Sequence, residues 1–147
     1  MREVEFHIGL ADKPGYACRL LRKVHTRGLR AVVTGEPEAL SRLDALLWTF
    51  DVGDFIPHAR LRRGEAPPPL LARTPIWLAD EVVDGLEAAV LVNLGPAMPQ
   101  RHAGFARVIE LVAEAEDDLA AGRQRWRQYK AAGDQPRDVR QGAAPAA

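Results

Sequence analysis

The chain reads as an α/β domain of three layers, α/β/α, built around a mostly parallel sheet of about five strands. Three observations predict this class. Segments of period two or of β-branched character alternate with segments of period 3.6 in the order strand, helix, strand, helix, which right-handed crossovers close onto a parallel sheet. The run AAVLVNLG, residues 88–95, is apolar enough for a central strand covered on both faces. At 147 residues and 47% hydrophobic content, the chain has the material for one such domain without disulfide or metal staples.

In VEFHIGL, residues 4–10, Val4, Phe6, Ile8 and Leu10 alternate onto one side and predict a strand, with His7 on its polar face. Asp12 is placed to cap a helix in which Tyr16, Leu20, Leu21 and Val24 recur at steps of three and four until Gly28. LRAVVTG, residues 29–35, is a second strand. Pro37 then opens a second helix, with Leu40, Leu43 and Leu47 on one face, that ends near Trp48. DFIPHARL reads as a short strand interrupted by Pro57, and GEAPPPLLARTP, residues 64–75, as a Pro-rich loop that cannot donate regular ladder bonds. IWLAD is a further strand. The three-four ladder Phe105, Val108, Val112, Ala115, Leu119, Gly122, Trp126 and Tyr129 predicts one long final helix from about 105 to 132. The segment GDQPRDVRQGAAPAA has almost no large apolar residue, so the domain is expected to span 1–133 and residues 134–147 to be disordered.

No apolar run approaches the ~18 residues of a membrane span, and the N-terminal residues read as a strand and not as a leader. Cys18 is the only cysteine, which excludes an internal disulfide and any zinc site on paired cysteines; together these predict a cytoplasmic protein. The fold class invites a nucleotide, yet neither G-x-G-x-x-G nor G-x-x-x-x-G-K-[ST] occurs, and Glu36 would repel a phosphate at the second helix's N-terminus. His7, His25, His58 and His102 sit in separate elements without metal-ligand spacing, and the only serine, Ser41, lies on a helix outside any nucleophile motif. No metal, no cofactor and no catalytic activity are therefore expected. Twenty basic residues balance twenty acidic ones, so the chain lacks the broad positive footprint of a duplex-DNA binder. Residues 123–147, however, hold six Lys/Arg against two Asp/Glu.

That local excess falls in GRQRWRQYKAAG, residues 122–133, where helical spacing puts Arg123, Arg127 and Lys130 on one flank beside Leu119, Trp126 and Tyr129. Three readings fit. The cations complement a helix C-terminus, or they wall an apolar notch for an acidic peptide or terminal carboxylate, or Arg beside Trp stacks on single-stranded bases. The second notable stretch is LDALLWTFDVGDFIPHARL, residues 43–61, with Trp48, Phe50 and Phe55 around a turn. Spacing alone leaves core plug and interface anchor equally open.

RLDALLWTFDVGDFIPH and RQRWRQYKAAG together resemble the chi-subunit family of bacterial DNA polymerase III, the clamp-loader accessory proteins, and the likeness runs over nearly the whole chain. The first segment matches that family's Leu-Trp followed by Phe-[Val/Ile]-Pro-His, the second its basic and aromatic terminal helix. The resemblance implies a nucleotide-binding-like fold without nucleotide chemistry. It also implies a non-catalytic adaptor that pairs with the psi subunit of the clamp loader and binds the acidic C-terminal tail of single-stranded-DNA-binding protein, with contact to nucleic acid mostly indirect. By position, Trp48, Phe55 and Pro57 match the psi-facing surface. Val112, Leu119, Arg123, Trp126 and Arg127 match the tail-binding notch, which Tyr129 and Lys130 extend. The family commonly has Tyr and Lys where this chain has Trp126 and Arg127, and Arg can clamp a carboxylate bidentately where Lys acts as a point charge. The Pro-rich loop at 64–75 and the Ala/Pro tail depart from the family pattern. Were the resemblance set aside, a direct single-strand binder using the terminal helix would be the alternative.

Overall fold

Short runs made almost wholly of apolar or β-branched residues become strands that are buried at every position, because the layers on both sides leave them no solvated face. A computed structural model describes residues 2–50, 53, 55–86 and 88–140. The strands are β1 (Glu3–Leu10), β2 (Ala31–Thr34), β3 (His58–Leu61), β4 (Ile76–Ala79), β5 (Val90–Asn93), β6 (Arg107–Ala113) and β7 (Arg137–Arg140). They form one seven-stranded sheet, order β3-β4-β2-β5-β6-β1-β7, and every pairing among the described residues is parallel.

Helices α1 (Lys13–Thr26) and α2 (Pro37–Thr49) cover one face, where Leu21, Val24, Leu40, Leu43 and Leu47 pack on Val33, Leu78, Val92 and Ile109. On the other face α3 (Glu116–Ala131) lies over Val4, Phe6, Val108 and Val112, and the connections around it contribute Leu86 and Phe105. Crossovers toward β3 thus run over one face and the α3 crossover toward β7 over the other, as right-handed connections demand. Asp12 caps α1 as expected, accepting from the Gly15 amide at 3.1 Å.

The structure corrects the sequence reading in five places. The sheet has seven strands, not about five. Residues 105–132 are not one helix: 107–113 form β6, the chain turns at Glu114 and Ala115, and α3 begins at Glu116. Disorder from residue 134 does not hold over 134–140, because β7 pairs with β1; residues 141–147 lie outside the described residues. In β1 the register slips between Ile8 and Leu10 at Gly9, whose φ of 79° suits a bulge, so Leu10 joins the α1/α2 face instead of following Phe6. His7, read as a surface residue, is buried between Glu5 and Tyr16.

Candidate functional site

The basic segment folds onto the sheet through Gly122, Arg125 and Tyr129, its buried positions. Asp118 fixes the start of α3 by accepting from the Ala113 amide at 2.7 Å and from Lys13 Nζ at 2.9 Å. Gly122 permits close approach to β6, since a Cβ there would lie 3.0 Å from Val112 Cγ2. Arg125 and Tyr129 complete the inward face. Their partner is Glu110, fully buried in β6, which accepts from Arg125 Nε at 2.7 Å, from the Tyr129 hydroxyl at 2.7 Å and from Asn93 Nδ2 at 2.9 Å. Burial pushes the Glu110 carboxyl up against the pull of Arg125, and burial together with Glu110 pushes the Tyr129 hydroxyl up, so Tyr129 remains a neutral donor. Arg125 Nη1 continues to the Pro96 carbonyl at 2.8 Å.

The outward flank is different. At 100° per residue, Leu119, Trp126, Arg123, Lys130 and Arg127 span an arc of about 100° on α3. Leu119 and Trp126 are half-buried at its inner border, with Trp126 packed on Phe6 at 5.1 Å between ring centroids. Arg123, Arg127 and Lys130 are exposed; Arg127 bonds only Gln124, at 2.8 Å, and none of the three has an ion pair among the described residues. The arc is an apolar border beside exposed cations that have no ion pair among the described residues. Pairing of β7 with β1 sets Asp138 beside Phe6 in the sheet.

Of the residues predicted for this notch, the structure brings Leu119, Arg123, Trp126, Arg127 and Lys130 together at the surface. Val112 lies on β6, not on a preceding helical turn, and is buried under Gly122. Tyr129 is fully buried on Glu110, so it supports the notch from beneath and does not line it. Sequence reasoning missed Arg125 and Glu110; their positions on the inward side of α3 and in the middle of an apolar run were the available signals.

The second surface grows from the end of α2. Ile56 is buried as a core plug, which turns Phe55 outward. Trp48 and Phe55 are 59% and 58% exposed, with ring centroids 5.2 Å apart, so neither is the core plug that spacing allowed. They stand on His58, whose buried ring lies 4.9 Å from Trp48 and whose Nδ1 donates to the Ile56 carbonyl at 2.7 Å, leaving Nε2 2.9 Å from Asp44 Oδ1. Pro57 is half-buried between them in sequence. His58 is the support that sequence reading did not single out: it holds an aromatic pair upright on a buried polar anchor.

A third depression, a crevice of about 500 Å³, opens beyond the C-terminal ends of β2, β4 and β5, where α/β sheets bind ligands. Glu36, Asp80 and Glu81 line it. Burial would raise Asp80, but the Arg63 amide and the Arg60 guanidinium outweigh that and keep its carboxyl below the usual range; Arg63 also pairs with Glu81 at 3.1 Å and lines the crevice together with Arg101, so its acids are largely matched by cations. Among the described residues no cluster of His, Cys, Asp and Glu is suited to a metal ion, and no helix is long and apolar enough to cross a membrane.

Comparison with known proteins matches residues 1–137 to the family described as DNA polymerase III chi subunit, HolC. The chain is 30% identical over 138 residues to the DNA polymerase III subunit chi of Pseudomonas aeruginosa, covering 90% of this chain and 92% of that protein. Among solved structures it resembles the C-terminal domain of the DEAD-box protein Dbp5, with a TM-score of 0.61 at 10% identity over 95% of this chain and 90% of that one. A second structure of that domain, from S. cerevisiae and bound to Gle1 and IP6, gives a TM-score of 0.61 at 9% identity over the same shares. At such identities the likeness shows the fold alone.

Proposed function

The chain belongs to the DNA polymerase III chi subunit family, whose members are non-catalytic accessory subunits, and we propose that it is an adaptor joining the clamp loader, through psi, to the acidic C-terminal tail of single-stranded-DNA-binding protein. The observation that carries this reading is the arc on α3: a half-buried Trp126 and Leu119 bordered by Arg123, Arg127 and Lys130, none of them in an ion pair among the described residues. An acidic tail ending in Phe suits that arc, with the terminal ring against Trp126 and Leu119 and the α-carboxylate on a guanidinium fork. The exposed pair Trp48 and Phe55 supports a separate docking point for psi.

Coupling two modest contacts in one chain raises the effective concentration of the clamp loader at coated single strands without new contacts. A direct single-strand platform is less well supported, because successive bases need successive aromatic faces and the arc offers one tryptophan already packed on Phe6. The test is a titration of an acidic peptide ending in Phe against wild type and Arg123→Ala. Wild type is expected to bind, more weakly as salt rises, and the variant to lose about tenfold. Equal affinities would remove the notch from α3, and an oligonucleotide that binds wild type while the peptide does not would transfer the surface to nucleic acid.

A further inference from the structure

Large apolar side chains left in water are informative when they gather. Five are exposed among the described residues: Leu29, Trp48, Phe55, Leu70 and Leu71. The register places all five at one end of the sheet. His58, Ile76 and Ala31 are partners across β3, β4 and β2, so these three neighbouring strands start side by side. Phe55 precedes the first start and stacks on Trp48, Leu29 precedes the third, and Leu70 and Leu71 lie in the loop that enters the middle one.

That loop is held in place. Three prolines lead into a single 3-10 turn, the Leu71 amide donates to the Pro68 carbonyl at 2.9 Å, and the Thr74 amide donates to the Leu71 carbonyl at 2.9 Å. Arg30 ties the turn to the foot of β2 through Nη2, which donates to the carbonyls of Ala72 at 2.6 Å and Thr74 at 3.2 Å. Leu70 is 97% exposed on this fixed turn. An apolar side chain displayed on an ordered loop loses little entropy when it docks.

Charge indicates what docks. At the end of α1 and just beyond it stand Lys23, Arg27 and Arg30 with no Asp/Glu among residues 22–30, and between 66 and 75 the only charged residue is Arg73. Arg27 and Arg73 are exposed at this end without an ion pair among the described residues. Strand starts lie about 4.8 Å apart, so the row from β3 to β2 spans about 10 Å, roughly two turns of a helix. Anchors at such a spacing suit one amphipathic helix.

We propose that the Pro-rich loop is a second half of the clamp-loader docking surface: one amphipathic helix of the psi partner, its apolar face edged by Asp or Glu, lies from the Trp48–Phe55 pair across Leu71 and Leu70 to Leu29. The proposal rests on the psi-docking reading above and extends it to a loop that departs from the family pattern. The experiment mixes the full chain with psi from the same organism and measures Kd by calorimetry for wild type, Trp48→Ala, the pair Leu70→Ser with Leu71→Ser, and the pair Arg27→Glu with Arg73→Glu. Leu70 and Leu71 lie outside both cores, so unchanged melting and unchanged binding of the acidic tail peptide certify each variant's fold. The leucine pair is expected to lose about tenfold or more, and the charge-reversed pair to lose affinity together with its salt dependence. Trp48→Ala weakened while the leucine pair binds like wild type overturns the extension and leaves the docking reading standing. Trp48→Ala binding like wild type overturns both.

Discussion

Glu5 is buried in β1 with Arg107 2.9 Å from one carboxylate oxygen and Arg137 2.7 Å from the other, and with His7 Nε2 3.0 Å away. Burial alone would raise its pKa, but the bonds from Arg107, His7 and Arg137 outweigh it and hold the carboxyl at about 2. Burial also lowers His7, against the pull of Glu5. Both folded values therefore lie below the unfolded ones, so each group adds stability above its unfolded pKa and gives it up as pH falls. The loss begins near the ordinary His value of about 6.5 and continues through Glu5 from about 4.5 toward about 2. Denaturant titrations from pH 7 to pH 3 should show it, and Glu5→Gln should lower stability at pH 7 by about 2 kcal/mol, discounted for the exposure of Arg137, and flatten the acid limb. An acid limb of unchanged slope in that variant would falsify the assignment. Arg125 makes the opposite point about legibility: in sequence it stands among the cations of the terminal helix, yet it is 1% exposed on Glu110. Breaking a buried pair leaves one charge stranded, so Arg125→Met should cost about 3–5 kcal/mol, far more than Arg123→Ala at the surface.

The first four elements were readable, apart from the slip at Gly9 in β1, because strand-like and helical segments alternate between punctuating residues: Asp12 as a cap, Gly28 as a stop and Pro37 as a start. The C-terminal third was not. β6 is covered on both faces and would read as an unbroken apolar run, but Glu110 interrupts it, and the remaining Val108, Leu111 and Val112 fall at helical spacing that continues into α3. Only the buried partners Arg125, Tyr129 and Asn93 explain a carboxylate there, and they are distant in sequence. β7 was hidden for another reason: edge strands are often charged, and Arg137-Asp138-Val139-Arg140 has the composition of a tail. Its pairing with β1 makes a testable element. Removing residues 137–147 strips β1 of its outer neighbour and Glu5 of Arg137, so the melting temperature should fall by several degrees, with the added amide exchange confined to β1. Melting unchanged within error, or exchange spread evenly over the sheet, would mean that β7 adds nothing to the fold.

The sheet order separates the two surfaces. Trp48 and Phe55 stand beside β3 at one edge, while the α3 arc lies over β1, next to β7 at the other. From β3 to β1 are five strand spacings, about 24 Å at 4.8 Å each. No residue belongs to both surfaces, and what lies between is a parallel sheet packed on both faces. Perturbations so far apart with no shared partner should be additive. We therefore expect the acidic tail peptide to bind the preformed complex with psi within about twofold of its affinity for the free chain, and Trp48→Ala and Arg123→Ala each to weaken only the partner at its own surface. Calorimetric titration of peptide into the complex checks this directly. Displacement of psi by the peptide would place both ligands on one surface, and a tail affinity shifted tenfold by psi would mean that the two surfaces are coupled through the sheet. If the sites are independent, tethering strength is set by the geometry between them: retention of the clamp loader at coated single strands should fall to background when either surface alone is disabled, although the other binds its partner unchanged.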